Sequence, residues 1–241
     1  MRPYSPPPIA LLAVLLIAVF AVLFADILAV SATADPIPVG VGAVLTPISP
    51  SNISRPYSHS SLRLTSRLLN GARQPIPGAR VDILQQIAGT NQMKLVGSTV
   101  TQADGSLTAT APAGPSRLIE LAYRASESEG YAAQTEIQEN VSAGLRLRVT
   151  PRHTTPTGTI QLEGQVLGDI PSDGVVVEIL VYYLGQWQPI RTPRTRPNGR
   201  LLVDYRFHQA TGEFPFRLRI RYGQVGFPYG EACSGWVAVV A

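Results

Sequence analysis

Hydrophobic and polar residues alternate along many short stretches of this chain, which is the pattern of half-buried β-strands. In FPFRLRIRY, residues 214–222, every second residue is apolar: Phe214, Phe216, Leu218, Ile220 and Tyr222. The residues between them include Arg217, Arg219 and Arg221. A shift by one residue would bury these guanidinium groups, so the pattern predicts a firmly set register. No stretch after residue 34 carries the apolar stripe of an amphipathic helix, so an all-β fold is predicted.

Several of these stretches occur twice, in the same order. LRLTSRL (62–68) matches IQLEGQV (160–166), ARVDILQ (79–85) matches VVVEILV (175–181), TVTQADGSL (99–107) matches PRTRPNGRL (193–201), LIELAYRA (118–125) matches RLRIRYGQ (217–224), and GLRLRVT (144–150) matches GWVAVVA (235–241). The offset is 98 residues at the first pair (160 minus 62) and 91 at the last (235 minus 144). Loop insertions produce a drift of this kind, so the pattern indicates two copies of one module.

Matched turn signals accompany the two copies. Asp104-Gly105 and Asn198-Gly199 are dipeptides typical of two-residue β-hairpins, in which both central residues take a positive φ. We therefore expect a hairpin of this kind in each copy.

The number and spacing of the strands predict two tandem immunoglobulin-like β-sandwiches. Each copy has about six or seven short strands, with a turn about every 8 to 12 residues. The first sandwich is assigned to residues 61–150 and the second to 159–241, with 151–158 as a linker. Residues 126–142 are polar and are expected to form a loop or an irregular edge. The sequence leaves fibronectin-like and prealbumin-like strand orders open.

NGARQPIPGARVDIL (70–84), followed by TQADGSL (101–107), resembles bacterial carboxypeptidase-regulatory-like and immunoglobulin-like modules of secreted and surface proteins. The resemblance covers most of residues 60–150. The second copy departs from it, because Asp173-Gly174-Val175 replaces Pro-Gly-Ala and Asn198 replaces the aspartate. The resemblance implies a spacer, adhesive or ligand-presenting role.

The amino terminus carries a secretion signal or a membrane anchor. Ile9–Ala25 is an unbroken apolar run, and the small residues Ala32-Thr33-Ala34 predict cleavage between Ala34 and Asp35. The alternative is an uncleaved anchor helix over Ile9–Val30. Residues 1–34 are assigned to this signal or anchor, and 35–60 to a linker rich in proline and serine. Both alternatives predict a secreted or cell-surface protein that touches a membrane only through this segment.

The charge is concentrated in the second copy. The chain carries a net charge of +4, but residues 191–221 contain eight arginines against two acids. The expected partners are an envelope polysaccharide, another anionic polymer or a surface protein, but no nucleic acid. The predicted polymer-binding residues are Arg206, Arg217, Arg219, Arg221, Tyr183 and Trp187. The alternative is an ordinary solvated strand face.

The aromatic residues of the second copy divide by strand alternation. Tyr205 and Phe207 share a face with Leu201 and are expected to point inward. Tyr183, Trp187 and Tyr229 are the candidates for exposure and could stack on sugar rings.

No catalytic, metal-binding or cofactor-binding residues are assigned. Cys233 is the only cysteine, which excludes an intramolecular disulfide. Cys233 with His208 would be a nucleophile and its base, but no thiol-enzyme signature surrounds them. Glu163, Asp169 and Asp173 could approach a calcium ion, although their spacing matches no calcium loop.

We expect a non-enzymatic structural, adhesive or spacer protein. Polymer binding through the second sandwich is the first alternative, and an enzyme is the second.

Overall fold

The computed structural model describes residues 42–241, in which every regular element is a β-strand. The all-β prediction is therefore confirmed. The predicted signal or anchor, its cleavage site at Ala34 and Asp35, and residues 35–41 of the predicted linker lie outside the described residues. Within residues 42–241, no helix is long and apolar enough to cross a membrane.

The first sandwich consists of eight strands in two sheets. They are β1 (Val44–Leu45), β2 (Asn52–Arg55), β3 (Leu62–Leu69), β4 (Arg80–Ile87), β5 (Lys94–Val100), β6 (Ser106–Ala111), β7 (Arg117–Tyr123) and β8 (Ala133–Val141). One sheet has the order β1-β3-β6, and the other has the order β2-β8-β7-β4-β5. Only β2 and β8 pair in parallel. Both sheets contribute to one core, which contains Leu64, Leu107, Val81, Ile119 and Ile137.

The second sandwich repeats this arrangement. Its strands are β9 (Gly144–Thr150), β10 (Thr159–Leu167), β11 (Glu178–Tyr183), β12 (Gln186–Arg191), β13 (Arg200–Arg206), β14 (Glu213–Ile220), β15 (Ala232–Cys233) and β16 (Val237–Val240). One sheet has the order β13-β10-β9; the other runs β12-β11-β14, with β15 and β16 both on the far edge of β14. Its core is a separate cluster that includes Val149, Leu162, Ile179, Phe216 and Leu218. The tandem immunoglobulin-like sandwiches are confirmed.

The predicted alternation of β14 is confirmed along the strand but not beyond its end. Phe216, Leu218 and Ile220 are fully buried, whereas Arg217 and Arg219 lie on the outer face. The strand ends at Ile220, and the side chain of Tyr222 is 81% exposed. The prediction that Tyr222 points into the core is therefore wrong.

The predicted loop over residues 126–142 contains β8, a strand of nine residues. Its inward positions include Thr135 and Glu139 as well as Ala133, Ile137 and Val141. The polar residues at inward positions hide the alternation on which the prediction depended.

The predicted boundary at residue 150 is too late, because β9 pairs with β10 and contributes Val149 to the second core. Residues 144–150 therefore begin the second copy. In the repeat, β8 of the first copy occupies the position that β15 and β16 share in the second. The predicted linker 151–158 lies inside the second sandwich, where Thr154 N donates to Val240 O at 2.9 Å. The described part of the predicted linker 35–60 contains β1 and β2. Alternation identifies a strand but does not show which sheet it joins.

The two matched turns have one geometry, but it is not the predicted hairpin. Only the glycines have a positive φ, +77° at Gly105 and +76° at Gly199; Asp104 and Asn198 do not. Gly105 N donates to Gln102 O at 2.9 Å, and Gly199 N donates to Arg196 O at the same distance. Each turn connects strands of opposite sheets, β5 with β6 and β12 with β13.

The side chain before each glycine completes the turn. Asp104 Oδ1 accepts from Ser106 N at 3.0 Å, and Asn198 Oδ1 accepts from Arg200 N at 3.1 Å. The Ser106 hydroxyl and amide lower the pKa of the Asp104 carboxyl below its usual value. The two-residue hairpin with two positive φ values occurs instead at Leu184-Gly185, between β11 and β12.

Glycine is required in the matched turns for a second reason. Leu68 N donates to Gly105 O, and Val166 N donates to Gly199 O, each at 2.9 Å. A Cβ on Gly105 would lie 2.6 Å from Leu68 O, and one on Gly199 would collide with Val166 O.

We predict that Gly105→Ala and Gly199→Ala destabilise the protein more than alanine at glycines with the same φ but open surroundings. Gly89 and Gly185 are such controls, with φ of +82° and +80° and no atom within 4 Å of a built Cβ. The controls should cost about 1–2 kcal/mol from backbone strain, and the turn variants about 1–3 kcal/mol more from the collision. Urea unfolding measures the difference, and equal losses in all four variants would contradict the role of the close approach.

Candidate functional site

Two of the predicted arginines, Arg217 and Arg219, lie on the outer face of β14. Arg221 follows the strand, and one acid compensates one of the three charges. Glu178 on β11 lies directly opposite Arg219. Its Oε2 accepts from Arg219 Nε at 2.5 Å, and its Oε1 lies 2.7 Å from Arg221 Nε. Two of the three guanidinium groups are therefore paired within the protein.

The third arginine lies on an aromatic ring. The guanidinium carbon of Arg217 is 4.0 Å from the centroid of the Trp187 ring, a cation–π contact across β11. Leu180, the residue of β11 opposite Arg217, is fully buried although it belongs to neither core. Within residues 42–241, Arg217 Nε is buried without a hydrogen-bond partner. The stacked side chains of Arg217 and Trp187 therefore shield Leu180 from solvent.

The other two predicted residues lie elsewhere. Arg206 is on β13, in the opposing sheet, and its Nε donates to Thr157 O at 3.4 Å. Tyr183 and Trp187 point to opposite faces of their sheet: Tyr183 packs against Phe214 at 6.3 Å, whereas Trp187 packs against Tyr182 at 5.3 Å. The structure brings together Arg217, Arg219, Arg221 and Trp187 but not all six residues. Their role in polymer binding stays a prediction.

The remaining candidates are dispersed. Cys233 is exposed on β15 beside Arg219, whereas His208 follows β13 of the opposing sheet and is also exposed. Asp173 pairs with Arg194 at 3.0 Å. In the described part of the chain, no group of three or more His, Cys, Asp or Glu residues could hold a metal ion.

The aromatic predictions have mixed outcomes. Phe207 is 2% exposed and belongs to the second core, and Tyr205 packs against that core, as expected. The expected exposure of Tyr229 is wrong, because its side chain is only 6% exposed.

Each sandwich places one acid at the same position and holds it with arginine, a feature that the sequence analysis missed. Asp82 on β4 corresponds to Glu178 on β11, and Arg124 corresponds to Arg221 in the strand register. Arg124 Nη2 lies 3.2 Å from Asp82 Oδ2, which also accepts from the Tyr131 hydroxyl at 3.1 Å. The signal was present as Val-Asp-Ile at 81–83 and Val-Glu-Ile at 177–179.

A buried ion pair closes one end of the first core. Arg117, 1% exposed, donates from Nε to Glu139 Oε2 at 2.7 Å and from Nη1 to Gln85 Oε1 at 2.6 Å. Its Nη2 donates to Pro112 O. The second oxygen of Glu139 accepts from Arg55 Nη1 at 3.3 Å. Removal of one partner from such a pair leaves an uncompensated charge, which is strongly destabilising.

The chain crosses between the sandwiches in two residues, Ser142 and Ala143, and this crossing is held on both sides. Ser142 N donates to Arg55 O at 3.0 Å. On the other side, Gly230 N donates to Val141 O at 2.7 Å, and Ala143 N donates to Gly230 O at 3.0 Å. Gly230 belongs to the segment between β14 and β15, residues 221–231, which we name the docking loop.

Aromatic packing reinforces this junction. Tyr229 of the docking loop lies 5.9 Å from Tyr57, which follows β2 and packs against the second core. Pro228 O accepts from Ser116 N of the first sandwich at 2.9 Å. Burial raises the pKa of Tyr229 to about 12, and the nearby Asp169 carboxylate adds to the shift. The phenol is therefore held in its neutral form.

We predict that the junction loosens at alkaline pH. The pKa of Tyr229 is raised from 10.0 to about 12 in the folded chain, so its contribution to stability is complete below pH 10 and is lost as the pH rises towards 12. Burial also raises the pKa values of Tyr123 and Tyr131, so tyrosinate absorbance over this range should show several late-titrating tyrosines together with a falling stability in thermal unfolding. Tyr229→Phe should remove one late-titrating tyrosine and reduce the fall in stability. An unchanged alkaline titration in this variant would contradict the assignment.

Comparisons with known proteins add little to this description. No protein-family model matches the chain, and no curated protein matches it. Among solved structures, a tetra-tandem repeat from the extending region of a large adhesion protein is 12% identical, with a TM-score of 0.40. The match covers 82% of this chain and 49% of the adhesion-protein chain. The Yersinia pseudotuberculosis adhesin InvE is 16% identical with a TM-score of 0.38, and the match covers 82% of this chain and 57% of the InvE chain. The Escherichia coli adhesin FdeC is 12% identical with a TM-score of 0.35, and the match covers 83% of this chain and 64% of the FdeC chain. These scores are low, so the fold assignment depends on the strand order and the two cores.

Proposed function

We propose that this chain is a non-catalytic, load-bearing spacer of a secreted or cell-surface protein. The apolar run Ile9–Ala25 and the small residues before Asp35 support the compartment. Amino-terminal sequencing of fractionated cells tests it: a start at Asp35 in the medium, or an intact chain in the membrane, is expected, and an intact chain in the cytoplasm would contradict it.

The observation that carries the proposal is the crossing between the sandwiches. Spacers that transmit force need junctions that do not bend freely, and flexible linkers of glycine and serine give the opposite behaviour. Here the backbone groups at Val141, Ser142 and Ala143 are hydrogen-bonded to Arg55 and to Gly230. Because the docking loop also presents Tyr229 to Tyr57, relative motion of the sandwiches would break both kinds of contact.

The arrangement of the terminal strands also supports a mechanical role. In the first sandwich, β2 pairs in parallel with β8 over four residue pairs, from Asn52 with Gln138 to Arg55 with Val141. The chain enters through β1 and β2 and leaves through β8, so a pull on its ends loads all these hydrogen bonds together. The second sandwich has a shorter version, in which His153 forms a parallel bridge with Val240.

Force spectroscopy with handles at residues 42 and 241 tests this role. Ser51 O accepts from Gln138 N of β8, and Arg55 O accepts from Ser142 N just after β8. By strand alternation the backbone of Ile53 therefore faces β8, and that of Ser54 faces the open edge. We expect Ile53→Pro to lower the unfolding force of the first sandwich, because it removes a ladder donor and costs about 1 kcal/mol in that bond alone. Ser54→Pro should leave the force nearly unchanged.

A side-chain control completes the comparison. Ile53 is partly buried against the first core, so Ile53→Ala measures the loss of packing without the loss of the donor. Equal forces for Ile53→Pro and Ser54→Pro, or a drop in Ile53→Ala as large as that in Ile53→Pro, would contradict the shear geometry.

A further inference from the structure

A cleft of about 580 Å³ lies between the two sandwiches. One wall is the outer face of the β2 and β8 pair, with Ser54, Gln138 and Asn140. The other wall is residues 222–230 of the docking loop. Its size falls within the range of about 300 to 1,000 Å³ that small-ligand sites occupy.

The residues that line this cleft include no Asp, Glu, Lys, Arg or His. The chain as a whole has 36 charged residues, 20 basic and 16 acidic, so an uncharged cleft of this size is a distinct feature. A charged ligand would lose hydration there without gaining a partner, which opposes its binding. The occupant that fits is therefore uncharged.

The first wall offers a row of side-chain amides. Asn140 Nδ2 donates to Asn52 Oδ1 at 2.8 Å, and Asn140 Oδ1 lies 3.5 Å from Gln138 Nε2. Each amide carries two donor hydrogens and an acceptor oxygen, so these internal contacts leave further donors and acceptors free. Paired donors and acceptors of this kind match the adjacent hydroxyl groups of a sugar.

The second wall offers an aromatic ring on a fixed backbone. The side chain of Tyr222 is 81% exposed at the cleft, and that of Val225 is 96% exposed. Gln224 holds the loop by accepting from Val176 N at 2.7 Å and donating to Val176 O at 2.8 Å. Phe227 is buried in the second core and fixes the loop further along. A wall that is already ordered loses little entropy when a ligand binds.

We propose that this cleft binds a neutral oligosaccharide. A sugar ring stacks on Tyr222, and its hydroxyl groups bond with the amides of Gln138 and Asn140. The site is distinct from the arginine-rich face of β14, and it does not depend on the spacer role. The two proposals fail independently, because one is tested by force and the other by binding.

The test measures binding of residues 42–241 to a panel of neutral oligosaccharides, namely glucose, mannose, galactose and N-acetylglucosamine polymers. Matched sialylated, uronic-acid and sulfated oligosaccharides are measured beside them. We expect at least one neutral chain to bind with an affinity that does not change with salt. Tyr222→Ala should weaken it about ten-fold. Asn140→Asp keeps the shape of the side chain but removes its two donors, so it should also weaken binding.

Trp236→Ala is the matched control, because Trp236 is an exposed aromatic residue of the second sandwich that does not line the cleft. It should leave binding unchanged. No binding to any neutral chain, binding only to charged chains with release by salt, or an equal loss in Trp236→Ala and Tyr222→Ala would each overturn the proposal.

Discussion

The structure depends on one constraint: the chain passes from one sandwich to the next in two residues whose neighbouring backbone groups are hydrogen-bonded on both sides. Gly230 pairs with Val141 and Ala143 on one side, and Arg55 pairs with Ser142 on the other. A glycine at position 144 is also required there, because a Cβ would lie 2.9 Å from both Leu167 Cβ and a ring carbon of Tyr57. The junction, the cleft beside it and the proposed transmission of load all follow from this crossing.

Some of the charges in this protein are organised in pairs on sheet faces and at one core end. Asp82 with Arg124, and Glu178 with Arg221, occupy matched positions in the two copies. The Arg117 and Glu139 pair is buried between β7 and β8. Buried pairs of this kind contribute little net stability compared with apolar packing, but they penalise any arrangement that separates the partners. They therefore favour one register of β7 on β8 over the alternatives.

The sequence predicted much of the architecture, and its errors have identifiable causes. The matched sequences around Gly105 and Gly199 identified the repeat correctly, because both glycines need a positive φ and both lie close to a backbone carbonyl. Strand β8 escaped detection because Glu139 occupies an inward position that its pairing with Arg117 and Arg55 makes tolerable. Strand β9 was assigned to the wrong copy because alternation carries no information about pairing partners.

The surface was harder to predict than the core. The arginines of β14 were identified correctly as outward-facing, but the pairing of Arg219 with Glu178 depends on the register of β11, which no local pattern reveals. Tyr229 was expected to be exposed because strand alternation did not assign it to an inward face, yet it packs into the second core and against Tyr57. The cleft combines residues more than 80 positions apart, so only the fold brings them together.

Hydrogen exchange at the crossing tests the central claim most directly. The amides of Ser142, Ala143 and Gly230 each donate to a backbone carbonyl across the junction. If the junction is locked, these amides should exchange as slowly as those of the core strands β7 and β14. Exchange as fast as that of the exposed residues 126–130, with β7 and β14 still protected, would show that the sandwiches move independently and would contradict the account.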